Sequence, residues 1–291
     1  MNSILLLAAC VCFAEFQTVS SGDERLDAVD VCFVSEFDQS EQRYVMMGLP
    51  GGAETKRSNA TAQKTADSEQ KPECRDVLIA LHGHGSDRWQ FIRDERDECR
   101  VARVFAQMHR MLYVSPDYRA RTSWMGPAAE ADLVQIIREL KEKYSIRHVF
   151  LCGGSMGGTS ALIFAGLHPD QIQGVVSLNG TANMVEYTGF ADAVAESYGG
   201  SRSEVPERYR ERSPELSFEQ LTMPVAMTVG GQDTLVPPDS CRRLSALLMN
   251  AGTPCLLIDH PDGGHASNAE DTLRALAFVR DAVLLKSQSA Q

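Results

Sequence analysis

Between residues 77 and 284, short apolar runs alternate with helical patterns, and that alternation restricts the chain to few architectures. The runs, rich in β-branched residues, lie at 77–81, 111–114, 148–152, 175–178, 225–229 and 255–258. Between two of them, Leu133, Ile136, Ile137 and Leu140 follow the i, i+3, i+4, i+7 spacing of one apolar helical stripe, with Pro127 suited to its first turn. A closing helix over 270–284 carries Leu273, Leu276, Ala277 and Val283 at similar spacing. Strands separated by helices imply βαβ units, and these imply a mostly parallel, doubly wound sheet covered on both faces. An antiparallel hairpin over about 29–47 precedes it. A composition of 43% hydrophobic and 23% charged residues supports a core of that size in 291 residues.

The remaining segments divide the chain. Residues 1–20 form an apolar leader, 27–50 the N-terminal strands, 51–72 a polar loop or disordered insertion, and 73–287 the main domain. The apolar block 4–14, ILLLAACVCFA, is too short for a bilayer, which needs about 20 residues. It fits a secretory signal, giving an exported protein, although its first residues carry no Lys or Arg. Leu7-Ala8-Ala9-Cys10 also fits a lipoprotein box, and a leader that is no signal leaves a cytoplasmic protein. The formal charge of −11 argues against nucleic acid or anionic membrane as partner. Of eight cysteines, those outside the leader are scattered without a CxxC pair, so no zinc site is expected; export would permit a pairing such as Cys74 with Cys99.

Gly153-Gly154-Ser155-Met156-Gly157 matches G-x-S-x-G directly after one strand and directly before a helix. A nucleophile on such a strained turn needs small neighbours, which Gly153 and Gly157 supply. Asp233 follows the next strand but one, in MPVAMTVGGQDTLVPP, and His265 follows the last, in PCLLIDHPDGGH. The order Ser155, Asp233, His265 therefore places a nucleophile, an acid and a base at the exits of three parallel strands. Asp259 and Asp262 compete with Asp233, and His260 with His265. Upstream, Leu81-His82-Gly83-His84-Gly85 ends the first main strand. An oxyanion hole needs two backbone N–H groups: one from Met156, the other from His84, with Gly85 as alternate. His82 and His84 alone are too few for a metal site.

LHGHGSD, SPDYR, GGSMGG, RYRERSP, MPVAMTVGGQDTLVPP and DGGH together resemble the α/β-hydrolase superfamily, and within it the esterase and prolyl-oligopeptidase-like branch. The resemblance covers about 76–285. It implies the α/β-hydrolase fold and a Ser-His-Asp hydrolase of carboxylic esters or, in some members, peptides, without a cofactor. The sequence departs in having Gly154 where many members carry His or Glu. Only 75 residues precede the main sheet, too few for the propeller usual in the peptidases. The segment 181–221 is a small, polar cap without the long apolar face of a lipase lid. Short-chain or carbohydrate-linked acyl esters are thus the expected substrates, small-molecule or polysaccharide-linked. Peptide hydrolysis is the alternative, an inactive binding module of the same fold a third. Trp89, Tyr118 and Trp124 either line a substrate pocket or cover the sheet edge. His109, His148 and His168 lie at element edges and read as surface residues, Cys152 as a buried thiol outside the chemistry. Asn59-Ala60-Thr61 and Asn179-Gly180-Thr181 match glycosylation sequons.

Overall fold

A computed structural model of the chain describes residues 28–48 and 75–289. The apolar leader, the polar stretch 51–72, Cys74 and the sequon at Asn59 lie outside them. Among the described residues eight strands form one sheet in the order β1-β2-β4-β3-β5-β6-β7-β8. The expected hairpin is β1 (Val29–Val34) and β2 (Glu41–Met47), antiparallel with Val29 opposite Met46. From β2, antiparallel to β4 (Leu112–Pro116), the sheet becomes parallel through β3 (Arg75–Leu81), β5 (Ile146–Gly154), β6 (Gly174–Leu178), β7 (Val225–Gly230) and β8 (Cys255–His260). The central strands read as continuous apolar runs because both faces are covered; every residue of β4, β6 and β7 is buried.

Helices α1 (Gln90–Arg93), α2 (Asp97–Met108) and the closing α8 (Ala269–Ser289) cover one face. The other holds α3 (Pro127–Lys143), α4 (Met156–Leu167) and α7 (Asp239–Asn250). Pro127 opens α3, and Leu133, Ile136, Ile137 and Leu140 form its buried stripe. α4 is apolar nearly all round, with Met156 through Ala165 buried, as suits a helix sunk between the sheet and an outer layer. That layer is the segment between β6 and β7, with α5 (Ala191–Tyr198), α6 (Pro206–Glu211) and a 3-10 stretch, Pro214–Gln220. Its outer side is polar, while Val194, Tyr198, Tyr209 and Leu221 pack into the core beneath.

A buried ionic contact ties the hairpin to the sheet. Asp132 of α3, 1% exposed, accepts bonds from Ser35 Oγ at 2.5 Å and from Arg119 Nε at 2.5 Å. Removing one partner of such a buried pair costs about 3–5 kcal/mol, because the other charge stays behind. His148 corrects the surface reading of its position: it is buried, with Nδ1 3.0 Å from Asp76. All the parallel strands run the same way, so Gly83, Ser155, Asn179, Asp233 and His265 emerge at one edge of the sheet, after β3, β5, β6, β7 and β8.

Candidate active site

Ser155 is the single residue between β5 and α4, with φ +57° and ψ −118°. A non-glycine residue there is strained by about 1–3 kcal/mol, and such strain persists only where the surroundings hold it. Here Ser155 N–H donates to Leu178 O at 2.8 Å, and Ser155 O accepts from Thr159 N at 3.0 Å. The turn also demands Gly157, where a Cβ would stand 1.9 Å from Leu81 O. At Gly153 it would stand 2.4 Å from the Gly157 carbonyl carbon. The elbow glycines are therefore a matter of backbone packing against β3.

Asp233 has its side chain 1% exposed. Its Oδ1 accepts the N–H groups of Leu235 and Val236, both at 2.9 Å, and its Oδ2 lies 2.6 Å from His265 Nδ1. A carboxylate opposite Nδ1 makes that nitrogen the donor and leaves Nε2 as the acceptor of the neutral ring. His265 and Ser155 line one cavity of about 60 Å³, together with Gln90, Arg96, Glu98 and Asn179. The competing residues are engaged elsewhere. Asp259 holds Arg242 at 2.7 and 2.9 Å, and His260 Nε2 lies 2.6 Å from Asp271. Asp262 is exposed.

The 82–85 turn offers a selective set of amides. Gly83 N–H donates to Gln90 Oε1 at 2.7 Å and Gly85 N–H to Arg121 O at 2.7 Å. Among the described residues the N–H groups of His84 and Met156 meet no acceptor. Of His84 and Gly85, the two donors that the 82–85 turn offers beside Met156, His84 is thus the uncommitted one. The His84 ring stacks on Phe190 with centroids 4.1 Å apart, and its Nδ1 accepts from Trp124 Nε1 at 3.2 Å. Desolvation holds its pKa below the ordinary histidine value.

None of Trp89, Tyr118 and Trp124 lines the cavity. Trp124 is fully buried against His84, Tyr187 and Phe190. Tyr118 is buried too and donates its hydroxyl to His82 O at 2.5 Å. Both support the 82–85 turn from beneath. Trp89 is half-buried under the Arg93 guanidinium, 3.7 Å from its ring centroid. The loop bearing Tyr118 and Trp124 is itself strained, with positive φ at Tyr118, Arg119, Ala120, Trp124 and Met125. His82 is buried, its ring nitrogens 2.9 Å from Gly83 O and 3.1 Å from Asp117 O. Cys152 is fully buried in β5, and burial pushes its thiol pKa well up. Among the described residues no group of three or more His, Cys, Asp or Glu is placed to hold a metal ion.

Sequence reasoning overlooked Asn179, Thr228 and Ser267. Asn179 Oδ1 accepts from Ser267 Oγ at 2.6 Å and from Thr228 Oγ1 at 3.2 Å, and its Nδ2 donates to Gly264 O at 3.4 Å. The network ties β6 and β7 to the loop that carries His265. In the sequence Asn179 stands out only as a sequon, yet it is 5% exposed and its amide faces Gly264. Its φ is +52°, a left-handed conformation that Asn tolerates better than most residues where a strand ends abruptly.

A sheet of this order, a serine on a strained strand-to-helix turn and a buried Asp–His couple define a serine hydrolase of the α/β-hydrolase superfamily. A model of the prolyl oligopeptidase family matches residues 119–283, more than half of the sequence, and the chain belongs to that family. No curated protein matches. Among solved structures, FphF, a fluorophosphonate-binding serine hydrolase of Staphylococcus aureus, is similar at 17% identity and a TM-score of 0.61, over 89% of this chain and 97% of that one. The S-formylglutathione hydrolase FrmB of Staphylococcus aureus is similar at 16% identity and a TM-score of 0.59, over 90% of this chain and 99% of its own. A puromycin-hydrolysing peptidase of Mycobacterium tuberculosis reaches a TM-score of 0.65 at 19% identity; the match takes in 88% of this chain but only 39% of the peptidase.

Proposed function

We propose that the protein hydrolyses carboxylic esters, short-chain or carbohydrate-linked, with Ser155 as nucleophile, His265 as base and Asp233 as its orienting acid. The observation that carries this reading is the 2.6 Å Asp233–His265 contact at a cavity His265 shares with Ser155. As Ser155 Oγ attacks the ester carbonyl, His265 Nε2 takes its proton, and the carbonyl oxygen gains the charge. The uncommitted N–H groups of His84 and Met156 hold that oxyanion, at about 3–4 kcal/mol per donor. The protonated imidazole, stabilised by Asp233, then gives its proton to the departing alcohol oxygen. Water attacks the acyl-enzyme with His265 again as base, and the acid leaves with Ser155 restored.

The likeness to an S-formylglutathione hydrolase along nearly the whole of that chain favours esters, and a between-strand layer without an apolar lid face favours short-chain or carbohydrate-linked ones over triglycerides. Peptide hydrolysis is the second reading, kept by the family itself and by the likeness to a puromycin-hydrolysing peptidase. Purified wild type and Ser155→Ala, run on p-nitrophenyl acetate, acetylated sugars, feruloyl esters and peptide anilides, separate the two. Ester turnover lost in Ser155→Ala is expected; anilide cleavage without ester cleavage would refute ester hydrolysis. Absence of Ser155 labelling by a fluorophosphonate probe would favour an inactive module. The apolar block 4–14 supports export as the location, checked by sequencing the N-terminus of protein recovered from the medium or envelope.

A further inference from the structure

The cavity shared by Ser155 and His265 has a charged wall that hydrolysis itself does not use. The first turn of α2 and the residue capping it bring Glu98 and Arg96 there, beside Gln90 of α1. Gly154 explains how close this wall comes. A side chain at that position would begin 3.8 Å from Glu98 Cγ, its nearest neighbour. The glycine just before the serine thus leaves the space between Ser155 and Glu98 open.

The charges on the wall are unequally committed. Arg96 gives its Nε and Nη2 to Asp94 Oδ2, both at 2.8 Å, and its backbone N–H to Asp94 Oδ1 at 2.9 Å. Its Nη1 stands 3.4 Å from Glu98 Oε1, a looser contact. The guanidinium is therefore largely occupied by Asp94, while the Glu98 carboxylate, 16% exposed, keeps unused acceptor capacity towards the cavity. Two carboxylates against one guanidinium leave one surplus negative charge, in a chain of net charge −11. A partly desolvated surplus charge attracts a cation and repels an anion more strongly than it would in water.

The position of the wall says which end of a substrate meets it. His265, Ala266 and Ser267 bound the same cavity, and a general acid must reach the atom it protonates. The group on His265's side of Ser155 is accordingly the one that departs. We infer that Glu98 is a specificity-determining residue, selecting substrates whose leaving group, the alcohol of an ester or the amine of a peptide, carries a positive charge. The inference rests on the roles of Ser155 and His265 given under the proposed function.

The test uses three acetate esters that differ only in the alcohol: acetylcholine, its neutral isostere 3,3-dimethylbutyl acetate, and the anionic acetoxyacetate. A parallel set of N-acyl peptide amides carries Lys, Gln or Glu directly after the scissile bond. Wild type is expected to favour the cationic over the neutral member by about five- to ten-fold in kcat/KM, and the neutral over the anionic by a similar factor. Glu98→Gln should bring the cationic-to-neutral ratio close to one, chiefly through KM, and Arg96→Gln should raise it. Ratios cancel any uniform loss, and opposite shifts in the two variants are not what structural damage produces. A preference for the anionic member, a flat wild-type series, or an unchanged ratio in Glu98→Gln overturns the inference. Hydrolysis without charge discrimination sinks it alone and leaves the proposed function standing. Failure to cleave any member of either set overturns the inference, and the acetylated sugars and feruloyl esters then decide the proposed function separately.

Discussion

The loops that present Asp233 and His265 reach the same contact by opposite means. Asp233 itself is held by the backbone of its own turn: its N–H donates to Gly230 O at 3.1 Å, and its carboxylate collects the two amides that follow. These contacts span two or three residues, the local turn chemistry at which Asp excels. The His265 loop is held from outside. Gln232 N–H reaches Gly263 O at 2.8 Å, Asn179 reaches Gly264 O, and Ser267 is tied to Asn179 and to Thr228, the latter at 2.9 Å. Exposure follows the same division, 1% for the Asp233 side chain and 25% for that of His265. The Asp233 carboxylate is fixed by a few consecutive residues, whereas the His265 loop depends on two neighbouring strands.

The largest effect expected from this contrast is at Asp233. Asp233→Asn keeps an oxygen for the Leu235 and Val236 amides, so the loop should survive and the thermal midpoint should move little. The amide presents an N–H or a weaker acceptor to His265 Nδ1 and favours the wrong tautomer, with a loss of about 10³–10⁴ in kcat. A loss below ten-fold would mean that Asp233 does not orient His265. Next comes Asn179→Ala, which releases the His265 loop from β6. Small misplacements of a reacting group cost up to about 100-fold, so kcat should fall by about 10- to 100-fold with KM little changed. Asn179→Asp retains the acceptor for Ser267 and Thr228 and should recover part of the loss. A change in KM alone would break the assignment of Asn179 as a positioning residue.

The same contrast explains what could be read from the sequence. Strand runs, the stripe on α3 and the elbow glycines depend on neighbours a few residues away, and the structure reproduces them within a few residues at each end. The order Ser155, Asp233, His265 was legible because each follows an apolar run at a strand exit. Asn179, Thr228 and Ser267 carried no such mark, since their meeting is created by the pairing of β6 with β7 and the return of the loop after β8. Trp89, Tyr118 and Trp124 show the converse. Their loops pointed towards the site, but for Tyr118 and Trp124 burial beneath the 82–85 turn is decided by packing at long range.

A third prediction separates the acid sensitivity of the fold from that of the site. His109 ends α2, half-buried against Phe105 with ring centroids 4.4 Å apart. Burial, and then the Arg280 charge, push its pKa down to about 4. An unfolded histidine titrates near 6.5, so between about pH 6.5 and 4 the unfolded chain binds a proton that the native state refuses. Stability should therefore fall as pH drops through that window, by about 2 kcal/mol once solvent screening of the partly exposed ring is allowed for, and level off below it. Urea midpoints at pH 7 and 4.5 measure the fall, and His109→Gln should reduce it. An unchanged fall in His109→Gln would place the acid sensitivity elsewhere, and the pH dependence of kcat would then need correction for another group.

The smallest effect belongs to the far end of the His265 loop. His260 ends β8 and approaches Asp271 of α8, but its side chain is 50% exposed, and Asn268 Nδ2 also donates to Asp271 at 2.7 Å. A contact so open contributes at most about 1 kcal/mol. The loop's anchorage through the His260 carbonyl, which accepts from Gly231 at 2.8 Å and Gly263 at 2.9 Å, does not depend on the ring. His260→Gln should thus change kcat by less than about five-fold, because the buried Asn179 side holds the imidazole and the exposed side contributes little. A loss as large as that of Asn179→Ala would show the loop to be held from both ends, and the base would then depend on α8 as much as on β6 and β7.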